Sequence, residues 1–351
     1  MAVQMVAVKD LTPGSILGDS VLSANGKILL GKDVVLTQRN ISLLNAWDVK
    51  CVYVNAAVAE ETAVETVEEP VQVQEVKDAP QRTGKFYQEY DSIVTNTLQA
   101  FDFIRKQRII PLPLLKDTAG HIHTSVADNG SVVTHLLVSD HKVADFISRH
   151  SVMVGYFAAI IARQMKWSDE DIRGVALAGL LHDVGNVATG KTAESRQAHI
   201  SEAAALLKDV KGLSSEIILG VIQHREYIDG SGYPMGVNGL KIHPYAKIIA
   251  VADTFHTQAY TTEYANPFPV LDLLAHEMFG KLDPSVCHVF INRIRDSLLR
   301  NKILLKNGQE AEVIYFHPTG SCLPVVRTAD SKIVDLSQHG SSVISRIVAP
   351  N

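Results

Sequence analysis

Apolar residues at the start of the chain recur in short alternating runs, Val3 to Val8, Asp19 to Leu22 and Lys27 to Leu30, broken by Pro13-Gly14 and Asn25-Gly26. Asn-Gly between two such runs predicts a hairpin, because both residues tolerate positive φ. Thr37 to Ala46 reads as a short helix capped by Thr37, and Lys50 to Val54 as a closing strand. Residues 1–55 are expected to form a small β-rich accessory or dimerising module without chemistry of its own. Residues 56–82 then carry Glu60, Glu61, Glu65, Glu68 and Glu69 amid Ala, Val and Thr, with Pro70 and Pro80. Lacking aromatics and a sustained apolar face, this stretch predicts a flexible acidic linker.

From Lys85 the period changes to that of a helix: Phe86, Tyr90, Ile93, Val94, Thr97, Leu98, Phe101 and Ile104 recur three to four apart, until Pro111 and Pro113 stop the pattern. Leu136 to Met165 predicts two more helices, with His135 just before the zone and His141 and His150 within it. Only His150 heads a strongly apolar run, and Gly155, Ala158, Ala159 and Ala162 within it permit close helix contact. Ser168 caps the next helix, with Asp169, Glu170 and Asp171 at its positive end. That helix runs through Val175 to Leu181 into His182-Asp183, and Gly185 is expected to end it by adopting the left-handed conformation. After the short segment Asn186 to Ser195 comes a helix bearing His199, then one capped by Ser214 that ends at His224. A polar loop follows, Arg225-Glu226-Tyr227-Ile228-Asp229-Gly230-Ser231-Gly232-Tyr233-Pro234, dense in turn-formers. Ala246 to Ala252 is apolar and leads directly into Asp253, a carboxylate that needs a partner in such surroundings. A last helix begins at Asp283-Pro284 and runs through Leu299. Glu312 to Phe316, Pro324 to Arg327 and Lys332 to Leu336 read as strands. The domain organisation expected is thus 1–55, a linker at 56–82, a helical domain at 83–300 with its core at 145–295, and a β-rich tail at 301–351.

Composition narrows the function classes. With 351 residues, 46% hydrophobic and 20% charged, the chain is long enough to bury a substantial core. A formal charge of −5 gives no reason to expect DNA, so an anionic ligand must be held by local positive charge or by metal. Cys51, Cys287 and Cys322 lie far apart without CxxC spacing and predict reduced thiols in a cytoplasmic protein. No stretch offers about 18 uninterrupted apolar residues, and the first residues lack a signal-peptide pattern, so neither membrane spanning nor secretion is expected.

The His182-Asp183 pair places two metal-capable side chains at the edge of a buried helix. Adjacent helical residues point about 100° apart, so the helix must end or bend for both to reach one ion. Four to six ligands are needed, and His150, His199, His224 and Asp253 are the candidates for the rest. His317, His339 and Cys322 have no metal-site spacing and are expected to be surface or core residues.

Five separated features, His150-Ser151, His182-Asp183-x-Gly185, His199, His224-x-Glu226-x-x-Asp229-Gly230-x-Gly232-Tyr233-Pro234 and Ala252-Asp253-Thr254-Phe255, together resemble the HD-GYP family of HD-domain phosphohydrolases. The resemblance implies a mainly α protein: an HD-type helical bundle with a small β-rich N-terminal module and a β-rich C-terminal tail. It further implies hydrolysis of cyclic di-GMP to the linear dinucleotide or GMP by a metal-activated hydroxide, in a bacterial signalling protein. The cofactors implied are two divalent ions, iron or manganese, with one alone left open. His150, His182, Asp183 and Asp253 would hold the first, Asp183 would bridge, and His199 and His224 would hold the second. Asp183, Glu226 and Asp229 are the catalytic set implied, the last two acting by orienting ligands and loop. Arg225, Asn186 and Tyr233 are the substrate-binding set. The Gly232-Tyr233-Pro234 loop implies contact with diguanylate cyclase domains of the GGDEF type, and a homodimer is open.

Several positions depart from the family pattern. Arg225 stands where a second histidine is usual, Asn186 where a lysine is, and His256-Thr257 where Asp-Ala follows. The segment from Asp183 to His199 is short, Thr262 replaces a basic residue, and Phe146 replaces an acidic one, which argues against a third metal. Two alternatives to an active cyclic di-GMP phosphodiesterase therefore stand: a regulator that binds the nucleotide or a protein without turnover, and a hydrolase of a smaller phosphoester.

Overall fold

The computed structural model describes residues 3–12, 14–19, 21–22, 28–30, 36, 41, 44, 49–55, 85–128, 131–138, 146–189, 198–260, 265–318, 320–338 and 343–348. The chain divides into two compact units, residues 1–77 and residues 78–351. The Asn25-Gly26 turn, most of the Thr37–Ala46 segment, the acidic stretch, His141, Thr262, His339 and residues 190–197 before His199 lie outside the described residues.

In the first unit, β1 (Val3–Ala7) pairs antiparallel with β4 (Cys51–Asn55), Val3 opposite Asn55 and Ala7 opposite Cys51. Two further short strands, β2 (Val21–Leu22) and β3 (Ile28–Leu30), pair with each other. Strand alternation sends Val52 inward while Cys51 and Tyr53 stay exposed. Val52 joins Val8, Leu11, Leu17, Val21, Leu36, Ile41 and Leu44 in a separate small core.

The second unit is helical, with a sheet at its C-terminal end. Helix α1 (Lys85–Gln107) buries the Phe86, Tyr90, Ile93, Val94, Thr97, Phe101 and Ile104 face that its period predicts. Helix α2 (Leu112–Asp128) was not anticipated. Pro111 and Pro113 do end α1, but Pro113 lies in the first turn of α2, where a missing N–H costs nothing and the fixed φ is already helical. Helices α3 (Val132–Val138) and α4 (Phe146–Gln164) follow. Every residue of α4 from Ser148 to Ala162 is buried, as in a central helix with no solvent face. Around it pack α1, α2, α5 (Asp169–Leu181), α9 (Pro244–Ala259) and α11 (Pro284–Leu298). Completing the domain are α6 (Val184–Thr189), α7 (Ala198–Leu207), α8 (Ser215–Ile222) and α10 (Phe268–Glu277). Ser168 caps α5 through its side chain as the sequence predicts, and Asp283 caps α11, whereas Ser214 stands at the N-cap of α8 without a side-chain cap hydrogen bond. Among the described residues no helix is long and apolar enough to cross a membrane.

After α11 the chain forms an antiparallel sheet in the order β8-β7-β6-β5-β9, from β5 (Lys302–Leu305), β6 (Glu310–Phe316), β7 (Pro324–Thr328), β8 (Ile333–Asp335) and β9 (Ile344–Ile347). Ile303, Val313, Phe316 and Val326 share one hydrophobic core with the helices. His317 pairs with Asp335 at 3.0 Å in this sheet, far in role from any ion site.

Candidate metal centre

Two glycine contacts set the positions of the site histidines. A Cβ on Gly179 would stand 2.9 Å from Gly155 Cα, so α4 and α5 cross at backbone contact only because both positions lack side chains. That crossing brings His150 Nε2, on α4, to 3.0 Å from His182 Nε2, just past the end of α5. The second contact is at Gly185. Sequence predicts that this residue ends the helix in the left-handed conformation, but α5 already ends at Leu181, His182 keeps right-handed helical angles, and Gly185 lies inside α6. What glycine supplies is close approach: a Cβ there would fall 1.9 Å from the His199 carbonyl oxygen. Helix α6 thereby lies on α7, and His199 Nε2 comes within 3.9 Å of Asp183 Oδ1.

Asp253, on α9, completes a buried cluster. His150 Nε2 lies 3.3 Å from Asp253 Oδ1 and 3.9 Å from Asp183 Oδ2, and His182 Nε2 lies 3.7 Å from Asp183 Oδ2. Three sets of side chains offer ligand atoms that all lie within 4.8 Å of one another: His150, His182 and Asp183; His182, His224 and Asp253; Asp183, His199 and His224. The structure thus brings together all six residues His150, His182, Asp183, His199, His224 and Asp253.

Tautomers follow from local backbone geometry. His182 Nδ1 lies 2.8 Å from the Gly179 carbonyl, and His224 Nδ1 lies 2.6 Å from that of Val221. A carbonyl only accepts, so each Nδ1 carries the proton and each Nε2 turns a lone pair to the cluster, the form a metal ligand needs. Burial holds both imidazoles neutral, His224 down to about 3 with Arg225 adding to the effect. Burial alone would raise the Asp183 carboxyl, but a proton entering the cluster goes to the facing imidazoles of His182, His224 and His150 before the carboxylate, which stays ionised down to about 2. For Asp253 burial is likewise opposed, chiefly by Arg225, and its pKa lies well below the usual carboxylate range. Asp183 Oδ1 and His199 Nε2 are buried without a hydrogen-bond partner. Unpartnered buried polar atoms are costly, and a cation between this imidazole nitrogen and this carboxylate oxygen would satisfy both. The donor set, imidazole and carboxylate without thiolate, fits a divalent transition metal.

The Arg225–Pro234 loop folds against this cluster. Arg225 Nη1 pairs with Asp253 Oδ2 at 2.9 Å, and its Nε donates to His224 Nε2 at 3.0 Å. Glu226 accepts from the backbone N–H groups of Met235 and Val237 at 2.7 and 3.1 Å. Asp229, exposed, accepts from the Ser231 N–H and hydroxyl at 2.9 and 2.6 Å. These two carboxylates hold the loop's shape and lie outside the ligand groups. Gly230 has φ +79°, and the Tyr233-Pro234 peptide is cis. The Tyr233 N–H donates to the Arg225 carbonyl at 3.1 Å, and its ring centroid sits 6.4 Å from that of His199. Asn186 lies half-buried on α6, three residues beyond Asp183. His135 is elsewhere, stacked on Phe86 at 4.9 Å.

Two neighbours of the cluster entered the sequence reading only as departures. His256 Nδ1 lies 2.8 Å from His150 Nδ1. Phe146, 68% exposed, stacks on His150 with centroids 5.8 Å apart and planes inclined by 10°. Helical spacing carries the signal for both, since His256 is three residues from Asp253 and Phe146 four from His150.

Residues 133–285 match the HD domain family. A cyclic di-GMP phosphodiesterase from Pseudomonas aeruginosa is 27% identical over 221 residues, 56% of this chain and 53% of the relative. A 3'3'-cGAMP-specific phosphodiesterase from Vibrio cholerae is 30% identical over 164 residues, 42% of this chain and 38% of the relative. A cyclic di-GMP phosphodiesterase from Thermotoga maritima is 28% identical over 198 residues, covering 51% and 53%. The chain thus spans about half the length, or less, of these curated relatives. In fold it is similar to an HDG"Y"P protein from Bdellovibrio bacteriovorus, with a TM-score of 0.50 at 16% identity over 82% of this chain and 98% of the other.

Proposed function

We propose that this chain, whose residues 133–285 match the HD domain family, is a metal-dependent phosphohydrolase of the HD-GYP kind that opens a cyclic dinucleotide, cyclic di-GMP, to the linear dinucleotide or GMP. The observation that carries this reading is the buried convergence of His150, His182, Asp183 and Asp253, with Asp183 Oδ1 and His199 Nε2 left unpartnered beside them. Those four residues would hold a divalent ion, iron or manganese, and His199 and His224 lie where a second would bind. A bound ion supplies Lewis acidity at neutral pH.

The chain's own groups do the rest. Asp183 and Asp253, both ionised, set the negative charge that attracts the cation. His182 and His224 are held in the right tautomer by carbonyls of the preceding helical turn. Arg225, its side chain 32% exposed at the edge of the cluster, presents guanidinium N–H groups to a phosphate oxygen. Tyr233 borders the same opening beside His199. Glu226 acts at one remove, holding the loop that positions Arg225 and Tyr233. The intact Gly232-Tyr233-Pro234 segment is what supports docking of a GGDEF-type domain, a reading that a pull-down unaffected by Tyr233→Ala would count against.

A second reading, a cyclic di-GMP receptor without turnover, is favoured by the Arg225–Asp253 ion pair, which engages a ligand carboxylate. Anaerobically purified protein supplied with Mn(II) and cyclic di-GMP separates the two. Chelator-sensitive appearance of linear product supports the hydrolase. Nucleotide that is bound but recovered intact overturns it and leaves the receptor.

A further inference from the structure

Both side-chain contacts of Arg225 fall on atoms that would otherwise ligate a cation. His224 Nδ1 is committed to the Val221 carbonyl, so Nε2 bears the ring's one in-plane lone pair, and that lone pair accepts from Arg225 Nε. While it does so it cannot ligate. Two of the three ligand groups include His224. With that residue engaged, the group of Asp183, His199 and His224 shrinks to Asp183 Oδ1 and His199 Nε2, two donors where transition metals take four to six. The group of His182, His224 and Asp253 likewise loses its third member, while Asp253 Oδ2 is paired with the guanidinium. The contacts of Arg225 do not reach His150, His182 or Asp183, whose donor atoms converge with Asp253 Oδ1 on one point, His150 Nε2 lying 3.0 Å from His182 Nε2 and 3.3 Å from Asp253 Oδ1.

The main chain fixes the arginine in this place. Its carbonyl accepts from the Tyr233 N–H, and a Cβ on Gly232 would stand only 2.5 Å from that carbonyl oxygen, so the loop closes directly on the Arg225 backbone.

Resting on the metal-dependent reading above, we infer that the centre is built for one tightly held divalent ion, with the Arg225 guanidinium standing as a permanent positive charge where a second ion would sit. Arginine is charged at every accessible pH, so this half of the site keeps its charge whatever the metal supply. The guanidinium has five N–H donors, and those not engaged by Asp253 and His224 are available to a phosphate oxygen.

Elemental analysis of the full chain, loaded anaerobically with Mn(II) and dialysed, tests the inference without relying on turnover. Wild type is expected to retain about one ion per chain, Arg225→His about two, and His199→Ala about one, the count that a single complete ligand set gives. Two ions in the wild type, falling to one in His199→Ala, would overturn the inference and leave metal-dependent hydrolysis standing. A folded Arg225→His protein that stays at one ion would also overturn it. No retained metal in any form of the protein would overturn both readings. Should Arg225→His fail to fold, the comparison of wild type with His199→Ala decides alone.

Discussion

Asp183 turns Oδ2 toward His150 and His182 and Oδ1 toward His199, and the two sides are built differently. On the Oδ2 side the donors come from α4 and the end of α5, which pack through backbone contact at Gly155 and Gly179, and from the middle of α9. On the Oδ1 side His199 is placed by the α6–α7 contact at Gly185, while His224 lies beyond the end of α8 at the start of a loop and is engaged by that loop's own Arg225. The first side is fixed by helix crossings, which a surface substitution barely alters. The second depends on loop side chains, where one residue redirects the chemistry.

The largest effect is expected from removing a donor common to the first side. Asp253→Ala leaves Arg225 and His150 without their carboxylate and should abolish retained metal. Turnover should fall by more than the ~10–100-fold typical of changes to groups behind the ligands, and elemental analysis with product chromatography reads both. If Asp253→Ala keeps wild-type metal content, the helix-built side is not the binding side.

Next in size is Gly185→Ala. A methyl group 1.9 Å from a backbone oxygen cannot be accommodated without separating α6 from α7, and overpacking of this kind costs at least about 1–3 kcal/mol. Thermal unfolding should show a clear drop in Tm, with Gly120→Ala, a helical site whose added Cβ meets nothing within 4 Å, as the control expected to hold or raise Tm. Equal stability of the two variants would remove the account of how His199 is placed.

A smaller effect is expected at His256. It is the partner of His150 Nδ1, and outer partners of ligating histidines are worth ~10–100-fold in metal affinity. His256→Ala should weaken Mn(II) binding within that range while His256→Asn, which keeps a hydrogen-bonding group, recovers part of it. Unchanged affinity in both would make His256 a bystander.

The mildest test varies pH on the metal-free protein. His182 and His224 are held neutral by burial, His224 down to about 3. An unfolded histidine protonates near 6.5, so between these values the unfolded chain binds more protons than the folded one. Stability should be full above about pH 6.5 and fall progressively as the pH drops toward 3. Metal loading should blunt this fall, because an ion competes with protons for the same lone pairs. Denaturant midpoints across that window measure it, and a flat profile would contradict the burial of neutral imidazoles.

Much of this architecture was legible from period and motif. The helical domain, the β modules on either side, the Ser168 cap, the start of α11 at Asp283-Pro284 and the buried face of α1 follow from spacing and local chemistry, and the six metal-capable residues named from sequence share one cluster. The misses have physical causes. Helix α2 was hidden because Pro111 and Pro113 read as a stop, though proline also suits a helix start. Strand β5 sits between β6 and β9 in the sheet, but its four residues directly follow α11 and show too short an alternation to declare themselves. Gly185 was assigned conformational freedom when it supplies proximity, and proximity to His199 is tertiary information. Glu226 and Asp229, expected to orient ligands and loop, hydrogen-bond to loop N–H groups and to a serine. The ion pair of Arg225 with Asp253 spans 28 positions, and no local pattern announces it.

Anomalous scattering from crystals grown anaerobically with Mn(II), recorded at the manganese edge, locates the ion directly. A single strong peak within ligand distance of His150, His182, Asp183 and Asp253, with Arg225 still paired to Asp253 Oδ2, is the result expected. A peak bound instead by His199 and His224, with the guanidinium displaced, or none in the cluster at all, would contradict the account.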